Sequence, residues 1–110
     1  MSYRIVPTLE FIKQAKKLSK KYPKISQDLK DLHEILEKDP HSGTHLGKNC
    51  YKIRLQNIST QKGKSGGFRV IVFVIDKDKV IRLIAIYSKS ERNSMPDEEI
   101  KMVLKKNKLS

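Results

Sequence analysis

Between Asp39 and Asp76 the chain carries Lys48, Lys52, Arg54, Lys62, Lys64 and Arg69 and not one carboxylate. Either side of that stretch the balance is ordinary. Residues 1–40 and residues 71–110 each hold nine bases and six acids. Lysines mixed with acids are what a solvated helix face carries. Bases without acids suit an anion, because phosphate oxygens are held by charge and by N–H donors. Lys52 and Arg54 are two residues apart, so on a strand they share one face. Arg69 follows the Gly66-Gly67 pair with one residue between, and glycines let another backbone approach closely. Pairing across the intervening loop brings Arg69 beside Lys52 and Arg54. Three crowded cations repel one another unless an anion neutralises them.

Other motifs carry less. Gly63-Lys64-Ser65-Gly66-Gly67 invites a nucleotide reading, but a phosphate-binding loop needs a glycine where Ile58 stands and a helix directly after. A strand follows instead, so the loop reads as a basic flap beside the patch or as a plain hairpin connection. His41, His45 and Cys50 have the spacing H-x3-H-x4-C, which matches no common metal site and lacks a clear fourth ligand. They read as loop residues, and His33 as a helix-face residue. No histidine is obviously paired with a carboxylate, so a Ser-His-Asp or Cys-His hydrolase has no support. Tyr87 either stacks on a base or closes the core. Lys89 and Arg92, just beyond it, extend the basic patch or lie in a solvated loop.

The elements that must position these residues follow from periodicity. Tyr3 to Val6 reads as a short strand ended by Pro7. Thr8 caps a helix to about Lys21, with Phe11, Ala15, Leu18 and Tyr22 at helical spacing. A second helix, about Lys24 to Lys38, has the apolar stripe Ile25, Leu29, Leu32 and Leu36. The two should form an antiparallel hairpin. His41 to Lys48 reads as a polar loop. Then the period becomes two: Tyr51, Ile53 and Leu55 alternate with Lys52, Arg54 and Gln56. Phe68 to Ile75 is nearly all apolar and should be central. Asp76-Lys77-Asp78-Lys79 is a hairpin turn, and Val80 to Tyr87 the next strand. Pro96 reads as a first helical residue, with Asp97, Glu98 and Glu99 in the first turn, where the helix dipole favours acids. The fold class is α+β: an N-terminal helical hairpin on one face of a small, mainly antiparallel sheet of about four strands, and a C-terminal helix. The other face should be partly open.

At 110 residues this is one domain, 1–110. The net charge is +12, with 24 bases against 12 acids. Such a charge points to nucleic acid, a membrane surface or an acidic protein as partner. A single cysteine excludes an internal disulfide and four-cysteine zinc sites. The longest apolar run, Val70 to Ile75, is far short of the roughly 20 residues of a membrane helix. The first residues, MSYRIVPTLEF, contain no signal-peptide run. The expected location is the cytoplasm, with no membrane partner.

The strand Cys50-Tyr51-Lys52-Ile53-Arg54-Leu55, the segment Gly67-Phe68-Arg69 and the ending Ile86-Tyr87-Ser88-Lys89-Ser90-Glu91-Arg92, in this order of elements, resemble the RelE/ParE superfamily of bacterial toxin–antitoxin toxins. The Gly63–Gly67 loop looks most like its HigB-type members. The resemblance covers nearly the whole chain and implies a RelE-like fold. It also implies an mRNA interferase that enters the ribosomal A site and cuts the codon there. No cofactor or metal is implied: the RNA's own 2′-OH attacks the adjacent phosphate. That reaction needs a base, cations for the phosphorane-like charge and a proton for the leaving 5′-oxygen. Lys52 and Arg54 match the basic pair on the family's second core strand. Arg is a poor base, so Lys52 or Lys64 would serve, its pKa lowered by neighbouring cations. Arg69 matches an arginine implied in transition-state charge, and Lys89 and Arg92 match basic positions after the last strand. Lys62 and Tyr87 are expected to contact RNA. Two departures stand out: Ser90 replaces an arginine of RelE-type members, and Met95-Pro96-Asp97 occupies the region where they carry a tyrosine. The implied partners are a cognate antitoxin, the ribosome with its rRNA, and mRNA. The competing readings are a non-catalytic ParE-like gyrase inhibitor and a plain nucleic-acid-binding module.

Overall fold

The computed structural model describes residues 2–60 and 66–110. Its elements run β1 (Arg4–Pro7), α1 (Leu9–Ser19), α2 (Ile25–Lys38), β2 (Thr44–Gly47), β3 (Cys50–Leu55), β4 (Phe68–Ile75), β5 (Val80–Ser88) and α3 (Asp97–Lys106). The strands form one sheet in the order β1-β5-β4-β3-β2. β1 lies parallel to β5, and every other pair is antiparallel. The α+β class and the helical hairpin agree with the sequence. The sheet has five strands rather than about four.

The additional strand is β2, in the stretch read as a polar loop. Its hairpin to β3 turns on Lys48 and Asn49, both with positive φ (49° and 65°). That is the backbone of a two-residue primed turn, whose twist matches the flanking strands. The usual sequence signal ends in glycine; here Asn49 tolerates the conformation and Lys48 is forced into it, so the turn was not legible.

Thr8 caps α1 as expected: its Oγ1 accepts from the Phe11 amide at 3.1 Å and donates to the Leu83 carbonyl at 2.8 Å. One hydroxyl thus ties the start of α1 to β5. α1 stops at Ser19, short of Lys21. In α2 the buried stripe is Ile25, Asp28, Leu32 and Leu36, with Leu29 only half-buried. The apolar pattern placed Leu29 at the centre. The helix is instead rotated so that a carboxylate enters the core. Pro96 lies just outside α3, as its N-cap, rather than at the first helical position.

Two cores sandwich the sheet. Against α1 and α2 lie Phe68, Val70, Val72 and Val74 of β4 with Ile53, Leu55, Ile81, Leu83 and Ile86. Against α3 lie Cys50, Ile71, Ile84, Ala85 and Tyr87 with Met95, Ile100, Val103 and Leu104. Leu32, Leu36 and Phe68 are fully buried, each contributing about 1.5–3 kcal/mol by burial. The face away from the helical hairpin is therefore covered by α3 over part of its area. Between Ile71 and Val72 the β4–β5 register slips, so that Ile71 faces Ala85 and Val72 faces Leu83, leaving Ile84 as a bulge. Ile84 and Ala85 then belong to the same core, and the alternation of β5 is reset beyond them.

Candidate nucleic-acid interface

The bulge and the register together build a row across three strands. Arg54 of β3 faces Arg69 of β4, and Arg69 faces Tyr87 of β5. Facing residues on one sheet surface have Cβ atoms about 5 Å apart. All three lie on the α3 side of the sheet, because Phe68 and Val70, Ile53 and Leu55, and Ile86 turn to the other side. Lys52 is on the same surface two residues before Arg54, opposite Ile71. Arg54 is exposed and Lys52 half-buried. The sequence expectation that pairing gathers Lys52, Arg54 and Arg69 agrees with this register.

Arg69 is the unusual member, only 6% exposed. Its Nη1 donates to the Phe68 carbonyl at 3.3 Å. Burial first, and then the neighbouring Arg54, press its pKa below the ordinary arginine value, while Tyr87 opposes the shift. A guanidinium remains charged under such pressure. It is a desolvated cation beside a second cation, a setting in which an anion is bound strongly.

Gly67 brings the strands this close. A Cβ added there would lie 2.2 Å from the Leu55 carbonyl oxygen and 3.1 Å from the Asn57 nitrogen. The Gly67 carbonyl also accepts from the Lys89 amide at 3.0 Å, joining the start of β4 to the segment after β5. Asn57 is buried, and the loop root behind it is pinned to α2. Asp28 Oδ1 accepts from the Ile58 amide at 3.3 Å, and Ser59 Oγ from the Lys24 amide at 3.1 Å. Nothing in the sequence patterning singled out Asp28 as that anchor.

The remaining expected residues fall elsewhere. Tyr87 is 8% exposed and packs in the α3 core, with the Arg92 guanidinium 5.7 Å from its ring centroid. Of the two roles read for Tyr87, the core is the one this arrangement uses. Burial raises the Tyr87 pKa, and Arg69 and Arg92 counteract that. Arg92 is engaged at the head of α3: Nε donates to the Ser94 carbonyl at 2.8 Å and Nη2 pairs with Glu99. Lys89 Nζ donates to the Asn93 carbonyl at 3.1 Å. Lys62 and Lys64 lie outside the described residues. His41 does have a carboxylate partner, contrary to the sequence reading: Nε2 is 2.8 Å from Asp76 Oδ1, which also accepts from Tyr3 OH at 2.5 Å. The loop position of His41 hid a contact made 35 residues away. That cluster lies at the far end of β4 from Arg69. Among the described residues no group of three or more His, Cys, Asp or Glu is placed to hold a metal, and no helix is long and apolar enough to cross a membrane.

Sheet order, the α1–α2 hairpin on one face and α3 on the other define a RelE-type fold. The free-state structure of a doubly substituted E. coli toxin RelE matches at TM-score 0.64 and 21% identity, over 96% of this chain and 98% of that one. A complex of the mutant E. coli toxin with a peptide of its antitoxin RelB matches at TM-score 0.57 and 22% identity, over 100% of this chain and 97% of the other. The archaeal RelE–RelB complex from Pyrococcus horikoshii matches at TM-score 0.51 and 22% identity, over 84% of this chain and all of that one. No family model and no curated protein sequence matches the chain.

Proposed function

We propose that this protein is the toxin of a toxin–antitoxin pair, and that it acts as a ribosome-dependent mRNA endoribonuclease on the codon in the A site. The observation that carries the reading is the placement of Arg54 opposite Arg69 beside Lys52, on a RelE-type fold. In the proposed step the RNA 2′-oxygen bonds to the adjacent phosphorus and the bond to the 5′-oxygen breaks. The 2′-proton passes to a base, Lys52 or Lys64, and the 5′-oxygen takes up a proton. Arg54 and Arg69 neutralise the charge on the equatorial oxygens, the interaction that matters most in phosphoryl chemistry. The products are a 2′,3′-cyclic phosphate and a 5′-hydroxyl. No metal is required by this scheme. The solved complexes with RelB support an antitoxin as partner. An acidic segment of it would suit a surface with a charge of +12. The site of action would be the cytoplasm.

The test is primer extension on an mRNA held in purified ribosomes, with wild-type protein and Arg69→Ala side by side. Free mRNA and a chelator are the controls. Cuts in the A site that need the ribosome, survive chelation and fade with Arg69→Ala are expected. Intact mRNA beside a folded protein overturns the nuclease reading and leaves gyrase inhibition and simple binding to be assayed.

A further inference from the structure

β1 ends at Pro7, which is paired with Leu83, so among the described residues the last part of β5 has no strand on that side. α1 fills the space: Gln14 Oε1 accepts from the Ile86 amide at 2.9 Å. Between α1 and the end of β5 a groove of about 370 Å³ remains, bordered by Lys17 on the helix, Lys21 just after it, Ser88 at the end of the strand, and Glu91 and Arg92 beyond it. Behind Ser88, the one hydroxyl residue of its lining besides Tyr87, runs a chain of hydroxyls. Tyr22 OH is 3.3 Å from Ser88 Oγ, which is 2.9 Å from Ser90 Oγ. Tyr22 is buried at 5% exposure, whereas Ser90 is exposed. The groove also reaches Tyr87, which faces Arg69. Groove and basic row thus meet at Tyr87, the groove at the α1 edge of β5 and the row on the α3 face.

We infer that this groove is a second RNA-backbone site, in which Lys17 and Lys21 hold phosphates of the single strand that, further along, reaches Arg54 and Arg69 round the edge of β5. The inference rests on the nuclease reading and extends it by giving the strand a path. Lys17, Lys21 and Arg92 border the groove; Arg92 is held by Glu99, and Glu91 is the one carboxylate of the lining. Lys21 pairs with Glu91 at 3.4 Å, but both side chains are about half exposed. Such a pair is weak and yields to a phosphate. Gln14, whose Oε1 is taken by the Ile86 amide, keeps its amide N–H groups for a phosphate oxygen. Leu18, Ile86 and Tyr87 are the apolar residues of the lining, and polar or charged residues make up the rest. RNA is thus a better occupant than an acidic protein segment.

The experiment is a titration of labelled single-stranded RNA, about eight nucleotides long, at several salt concentrations. Wild-type protein is compared with Lys17→Ala/Lys21→Ala and with Lys30→Ala/Lys38→Ala, a pair on α2 with the same loss of charge. Melting curves establish that each variant is folded. The groove variant should bind more weakly, and the slope of log affinity against log salt should fall by about 1.4, that is, two contacts of roughly 0.7 each. The α2 variant should keep the wild-type slope. Equal slopes for wild type and groove variant overturn the groove while leaving the nuclease reading intact. Equal losses in both variants also overturn it, because the effect is then one of net charge. Failure of the wild type to bind free RNA overturns the groove alone, because the nuclease reading places the codon in the ribosome and is tested there. Loss of affinity for an acidic antitoxin segment with RNA binding unchanged assigns the groove to protein and overturns the inference.

Discussion

Arg54 and Arg69 face each other across β3 and β4, one exposed and one buried. Like charges placed directly opposite on a sheet destabilise it, by roughly 0.2–1 kcal/mol. Replacing Arg54 with alanine should therefore leave the melting temperature unchanged or raise it, while cleavage in the ribosome falls about a hundredfold. Thermal unfolding and single-turnover cleavage of the same preparation check both halves. A parallel loss of stability and activity would mean that the pair is structural.

Gly67→Ala should be destabilising although the residue is neither catalytic nor in a turn of positive φ. The new methyl would meet the Leu55 carbonyl oxygen, which is backbone and has little room to move. Overpacking of this kind costs about 1–3 kcal/mol, readable as a lower urea midpoint with an unchanged slope.

Asp28 is fully buried, with one oxygen bonded to the Ile58 amide and the other without a partner among the described residues. Burial, and secondarily Asp31, raises its pKa, while the Ile58 amide lowers it. The sign follows from linkage. Below the ordinary carboxylate pKa the group is protonated in both states and costs nothing. As pH rises from there to the raised folded value, the unfolded chain loses the proton first and stability declines. Asp28→Asn removes that decline, so the stability difference between variant and wild type should grow in favour of the variant over that window. Urea unfolding at a series of pH values measures it, and a constant difference would contradict the account.

Arg92 ties the segment after β5 to α3 through Ser94 and Glu99. Both charged side chains are more than a third exposed, so the pair contributes only about 0.2–1 kcal/mol. Glu99→Gln should lower the melting temperature slightly. Its larger effect should be local: faster amide exchange in α3 than in β4 or β5.

The sequence was informative where pattern and chemistry coincide. Thr8, the alternation Lys52-Ile53-Arg54 and the apolar run of β4 each announce their place. The gathering of Lys52, Arg54 and Arg69 followed from strand pairing and the absence of acids. Three features were hidden for physical reasons. The Lys48-Asn49 turn lacks the glycine that marks such turns. Asp28 enters the core because the Ile58 amide accommodates it there, which helical periodicity does not reveal. The engagement of Arg92 depends on where α3 docks, a long-range outcome. Tyr87 could be read two ways because alternation alone does not say how a strand is phased.

That phase is set at Ile84. With unbroken alternation from Leu83, Tyr87 would join the hairpin core and Ile86 would face Arg69's side of the sheet. The extra residue exchanges them. It follows that chain length, and not only residue type, encodes the site. Deleting Ile84 would forfeit a buried side chain yet keep Tyr87 opposite Arg69. Inserting one residue between Ile86 and Tyr87 would spare every side chain and turn the end of the strand over.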